Sequence, residues 1–278
     1  MLDRRPEWAV AVPGRAPWHQ ILDRGSNMRE ENLPPPLALR VRGDRACFSR
    51  PELKAERFSY PTMTPSAARG VLEAVLWKPA IRWRVERVKV LAPIAFVSFR
   101  RNEVGSVAAA PVRATVTSGG PHEDFFADER RQQRNTVALR DVDYVIEARI
   151  EMTERAGAGD NKAKFVDMFR RRVEKGQHFH QPYLGCREFV GEVSPVDETT
   201  PPPIPETRDL GLMLWDVDFR PAANSEKAKL TWREGDSVVR GNARPIFFAA
   251  QLVNGVLEVP IDPERALNLP ASAGGGDE

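Results

Sequence analysis

A chain of 278 residues, 41% hydrophobic and 29% charged, can bury a full core without a covalent staple, and its length fits one large or two small domains. Its two cysteines form no CxxC pair or Cys/His ligand set, and no apolar run nears the roughly 20 residues of a membrane helix. A disulfide scaffold and a membrane protein are therefore excluded, and a soluble, cytoplasmic protein is expected. The formal charge of +2 hides an asymmetry: from Arg69 to Arg101 eight Lys/Arg face only Glu73 and Glu86, whereas from Pro195 to Glu278 eight basic residues face fourteen acidic ones.

Residues 1–36 carry Trp8, Trp18 and an "LPPP" run without sustained periodicity, and read as an extension. "LALRVRG" then alternates Leu37, Leu39 and Val41 with Arg40 and Arg42, the period of a half-buried strand. In "TMTPSAARGVLEAVLWKP", Thr64 caps a helix with Pro65 in its first turn and a stripe of Ala68, Val71, Leu72, Val75 and Leu76. "IRWRVERVKV" is a strand whose alternation slips near Arg87, the signature of a bulge. Residues 94–135 read as an insertion, a hairpin with a mobile loop at "ATVTSGGPHEDFF".

"NTVALRDVDYVIEARIEM" gives a long strand with Tyr144, Ile146, Ala148 and Ile150 on one face. Asn161 or Asp160 caps the next helix, whose stripe is Phe165, Met168, Phe169 and Val173 and which Gly176 closes. "YLGCREFVGEV" is taken as another strand. The order strand, helix, strand, insertion, strand, helix, strand over residues 37–194 predicts an α+β fold with a ferredoxin-like domain, the architecture of the RNA-recognition motif. A Pro-rich linker spans 195–206, a small antiparallel β-sheet domain with an Asn254-Gly255 turn spans 207–270, and residues 271–278 form a disordered tail.

Several side chains have the chemistry for polyanion work. Arg170, Arg171, Lys164 and Lys175 lie off the buried stripe of the second helix and, with the basic strand at 82–89 and with Arg100 and Arg101, form either a phosphate-binding groove or an ordinary solvated face. The start of the first helix and Arg69 offer a second anion site. Tyr60, in a polar loop before that helix, reads by pattern as turn packing. His178 and His180 share one side of an extended segment, yet no third ligand completes a metal site, so neither a metal nor a cofactor is expected. Phosphate-loop, dinucleotide-binding and serine-hydrolase motifs are absent.

The blocks "RPELKAERFSYPTMTPSAARGVLEAVLWKPAIRW", "FRRNEVG", "RQQRNTVALRDVDYVIEA" and "FRRRVEKGQHFHQPYLGCREF" together resemble the CRISPR-associated Cas family five, subtype d, over residues 37–220. The resemblance implies a subunit of type I-C Cascade that cuts precursor CRISPR RNA at the base of the repeat hairpin without metal and stays on the 5′ handle. It implies as partners the CRISPR RNA, the Cascade backbone and large subunits and, through the complex, target DNA. The implied chemistry is attack of a 2′-hydroxyl on the adjacent phosphate, leaving a 2′,3′-cyclic phosphate. The family's tyrosine falls on Tyr60 and its lysine on Lys164, but its histidine falls on Phe165, within the apolar stripe. Three readings follow: cleavage with Tyr60 and Lys164 alone, replacement of the missing group by His178 or His180, or a subunit that caps the guide without cutting. Arg69, Arg100, Arg101, Arg170 and Arg171 are the expected RNA-backbone contacts.

Overall fold

The structure, a computed structural model, describes residues 34–53, 56–105, 117–118, 126–222, 228, 230–234 and 237–261. The extension up to residue 33, most of the loop at 114–126, and the tail at 271–278 lie outside the described residues. Among the described residues the fold is mostly antiparallel sheet with few helices, and no helix is long and apolar enough to cross a membrane.

β1 (Leu37–Ala46) buries Leu37, Leu39 and Val41 on one face, as its alternation requires, and pairs antiparallel with β5 (Arg131–Met152) from Leu37↔Ala148 to Ala46↔Leu139. The short β2 (Arg57–Phe58) lies parallel to β5 at Thr136 and Val137. Thr64 caps α1 (Pro65–Val75) by accepting from the Ala67 amide at 3.3 Å, and the expected stripe of Ala68, Val71, Leu72 and Val75 is buried. β3 (Ile81–Val90) pairs with the second half of β5, and its register shifts between Val85 and Arg87, where the alternation slips. β4 (Phe96–Val104) pairs with the first half, so the insertion extends the same 22-residue strand.

Asn161 is the cap of α2 (Lys162–Glu174), accepting from the Lys164 amide at 2.9 Å, while Asp160 binds the Lys164 side chain. Phe165, Phe169 and Val173 go into the core, where Phe169 packs on Trp83 with ring centroids 4.7 Å apart. Gly176, at φ 60, ends the helix with the Gln177 amide bonded back to the Arg172 carbonyl.

The expected strand over 183–193 is mostly a loop; only β6 (Glu192–Ser194) joins the sheet, against β1. Gly185, at φ 86, turns the chain so tightly that a Cβ there would sit 1.9 Å from the Cys47 carbonyl oxygen. The Cys47 amide bonds the Leu184 carbonyl at 3.0 Å, which fastens this loop to the end of β1.

β7 (Arg208–Pro221), β8 (Leu230–Glu234), β9 (Ser237–Val253) and β10 (Val256–Glu258) pair antiparallel, with positive φ at Asn254 and Gly255 in the β9–β10 turn. β10 also pairs with β3, so these strands continue the sheet in the order β6-β1-β5-β3-β10-β9-β7. α1 packs on β3 and β7, and α2 on β5 and β6. The core between helices and sheet holds Leu39, Leu72, Ile146, Ile150, Phe165 and Phe169.

Candidate functional site

Lys164 is a candidate catalytic side chain open to solvent. It stands in the first turn of α2 with its side chain 47% exposed, and its Nζ meets Asp160 Oδ1 at 2.9 Å. The Lys164 ammonium and the Gly157 amide hold the Asp160 carboxyl below the usual carboxylate range. An exposed pair of this kind is weak, so an incoming phosphate can take the lysine from Asp160. The helix end adds its own attraction for negative charge.

Phe165, the next residue, is only 2% exposed. Its ring fills the core under α2, and that environment has no place for an imidazole that must exchange protons with substrate.

Tyr60 is fully buried. Its hydroxyl accepts a hydrogen bond from the Leu214 amide of β7 at 3.2 Å, its amide bonds the Phe48 carbonyl, and the Arg50 guanidinium lies 4.5 Å from its ring centroid. Burial, reinforced by Glu52, pushes its pKa up to about 12. At neutral pH it is a phenol and not a base.

His178 and His180 are both exposed. The backbone amides of Phe179 and His180 donate to the Ala74 carbonyl at 2.8 and 3.1 Å, which anchors the loop at the C-terminal end of α1. Tyr60 precedes the other end of that helix, which has 11 residues and so spans about 16 Å. The structure therefore does not bring Tyr60 and the histidines together. Among the described residues no cluster of three His, Cys, Asp or Glu could hold a metal ion.

The five arginines expected on RNA divide. Arg69 is 6% exposed and makes a two-pronged ion pair with buried Asp216 of β7, one contact being 2.8 Å, with Glu73 at 3.6 Å. It ties α1 to β7 and is not placed to meet a phosphate, a correction to its expected role. Arg101 is half-buried and paired with Glu188 and with Glu103 at 3.0 Å. Those two carboxylates also take Arg57, at 3.3 and 3.2 Å respectively. Arg100, Arg170 and Arg171 are exposed, with no ion pair among the described residues.

The strand at 82–89 does not supply a free basic face. Arg82 pairs with Glu151, Arg84 with Glu86 at 2.8 Å, and both Arg87 and Lys89 with Glu147 at 2.5 Å, while Arg149 reaches Glu86 at 2.7 Å. Glu147, Arg149 and Glu151 repeat at every second residue of β5, so this ladder was readable as complementary alternation on two neighbouring strands. Asp216, the partner of Arg69, had no such signal, because 147 residues separate the two.

Residues 36–260 match the family described as CRISPR-associated protein (Cas_Cas5), in its Cas5d form. A protein of Mannheimia succiniciproducens named CRISPR pre-crRNA endoribonuclease Cas5d is 43% identical over 236 residues, 81% of this chain and 94% of the relative. Its namesake from Thermus thermophilus is 43% identical over 232 residues, 83% of this chain and 94% of the relative. A crystal structure described as a CRISPR-associated protein superposes with a TM-score of 0.53 at 22% identity, covering 83% of this chain and 93% of the other, a likeness of fold.

Proposed function

The chain belongs to the Cas5d family of CRISPR-associated proteins, and from that premise we propose that it is an endoribonuclease of precursor CRISPR RNA and keeps the 5′ handle of its product. The observation that carries the reading is the 43% identity, over most of both chains, to two relatives named for that activity. Lys164, exposed at the head of α2, supports it from the side of geometry. We read β1-α1-β3-β5-α2-β6 as a ferredoxin-like core over 37–194, in which β4 and the first half of β5 are the insertion. After the linker at 195–206, β7–β10 form the C-terminal β part. The strand order β6-β1-β5-β3, all antiparallel, supports that reading.

In this proposal the reaction needs no metal. The 2′-oxygen of the nucleotide before the cut bonds to phosphorus, the bond from phosphorus to the 5′-oxygen breaks, and the products are a 2′,3′-cyclic phosphate and a 5′-hydroxyl. Lys164 neutralises the charge that builds on the phosphorane and gives a proton to the leaving 5′-oxygen. The proton of the 2′-hydroxyl passes to water, because Phe165 supplies no base and Tyr60 stays a phenol. Tyr60 acts as a positioning residue that holds the turn before α1 against Leu214. A reaction assembled from so few groups is slow, which suits a subunit that keeps its product.

Arg100, Arg170 and Arg171 hold the RNA backbone, and the Cascade backbone and large subunits bind the resulting ribonucleoprotein, through which target DNA is met. The test is cleavage of a cognate repeat hairpin in EDTA, followed by end-group analysis. The account requires a downstream fragment that a polynucleotide kinase labels directly, showing a 5′-hydroxyl. A 5′-phosphate, or activity that EDTA abolishes, contradicts it.

A further inference from the structure

Phe179 has no part in the reaction just described, yet it is the most exposed phenylalanine among the described residues. It is 59% exposed, while its own amide and that of His180 are both bonded to the Ala74 carbonyl, so a rigid backbone holds an apolar ring in solvent. The imidazole of His180 stands edge-on to it, with ring centroids 4.4 Å apart and planes at 63°.

The ring's surroundings point to its occupant. The last turns of α2 lead into this loop with exposed Arg170, Arg171 and Lys175 against two exposed acids, Asp167 and Glu174. Arg172 turns inward to the Val75 carbonyl and so fastens α2 to the same end of α1. One planar ring among cations that have no ion pair among the described residues offers little apolar area for a protein partner, but it suits a nucleobase, which needs one π-face and cations for the phosphates on either side.

We propose that Phe179, braced by His180, is a stacking platform for one unpaired base of bound RNA, whose phosphates run along Arg170, Arg171 and Lys175. This rests on the reading of the chain as a binder of CRISPR RNA. The platform assigns the histidine loop to holding RNA rather than to proton transfer.

The experiment measures affinity of the full chain for its repeat RNA by fluorescence anisotropy across a series of salt concentrations, for wild type, Phe179→Ala and Phe179→Trp. Stacking on one aromatic ring predicts that Phe179→Ala weakens binding about 10-fold. The slope against salt should not change, since every phosphate keeps its cation. Phe179→Trp should bind at least as tightly as wild type. Because the ring is exposed, the alanine variant keeps the core intact, which an unchanged thermal midpoint verifies. If wild type binds and Phe179→Ala binds equally well, the platform is wrong while the RNA-binding reading stands; if wild type does not bind, both are wrong. Loss of association with other complex subunits at unchanged RNA affinity makes the ring a protein contact and overturns the proposal.

Discussion

β3 and the C-terminal half of α2 are both dense in arginine and lysine, but their charges face different neighbours. Each of Arg82, Arg84, Arg87 and Lys89 meets a carboxylate of β3 or β5, whereas Arg170, Arg171 and Lys175 meet none among the described residues. The difference comes from secondary structure. A strand presents alternate residues to the strand beside it, so Glu147 and Glu151 on β5 lie next to the cations of β3. On the exposed side of α2 no described element stands opposite. A count of charges along the chain therefore overstates what a polyanion can reach.

The largest effect that would sharpen this comparison is expected where a cation is most deeply paired. Asp216→Ala leaves the Arg69 guanidinium buried without its main partner, and removing one member of such a pair costs about 3–5 kcal/mol. A fall in the thermal midpoint of several degrees is the expected result; an unchanged midpoint means that Arg69 finds water, and that β7 does not clamp α1. Replacing both residues with apolar ones of similar size should restore most of the stability.

Alkaline pH tests the burial at the same junction. Tyr60 has its pKa raised to about 12, so the folded chain keeps it neutral while an unfolded chain ionises it near 10. The stability this contributes is complete below about pH 10 and is lost as pH rises toward 12. Denaturant midpoints measured from pH 8 to 11 should decline from about pH 10, and the decline should be shallower in Tyr60→Phe.

The exposed cations come next. Arg170→Ala with Arg171→Ala should weaken RNA binding about 10-fold and reduce the slope of log K against log salt by about 1.4, roughly 0.7 for each single-strand phosphate no longer neutralised. Weaker affinity without a change of slope would assign these residues to folding. The smallest effect belongs to β3: Arg84→Ala should change RNA affinity less than about 2-fold, because its charge is already met by Glu86 and Glu151. A drop as large as that of the α2 pair would break the comparison.

Local pattern made the elements legible. The Thr64 and Asn161 caps, the slip near Arg87, the Asn254-Gly255 turn and the core position of Phe165 are all consequences of residues close in sequence. The loop at 183–190 was not, because its apolar run suggests a strand while the approach of Gly185 to the Cys47 carbonyl, which bends it, comes from 138 residues away. The site was legible in part. Lys164 is open, as a lysine just outside an apolar stripe should be, whereas the ties of Arg69 to Asp216 and of Arg101 to Glu188 join segments far apart in the chain. Helical periodicity can place a cation on a face; only the fold decides what that face meets.

The central claim is that Lys164 carries the cleavage chemistry and not the grip on RNA. Single-turnover cleavage of the cognate repeat hairpin in EDTA, with RNA affinity measured alongside, tests it directly in wild type and Lys164→Ala. The account predicts a cleavage rate lower by about 10²–10³-fold, the usual effect of removing one group that stabilises transition-state charge, with affinity changed less than about 5-fold. Equal losses in rate and affinity, or a variant that still cuts at the wild-type rate, would contradict it.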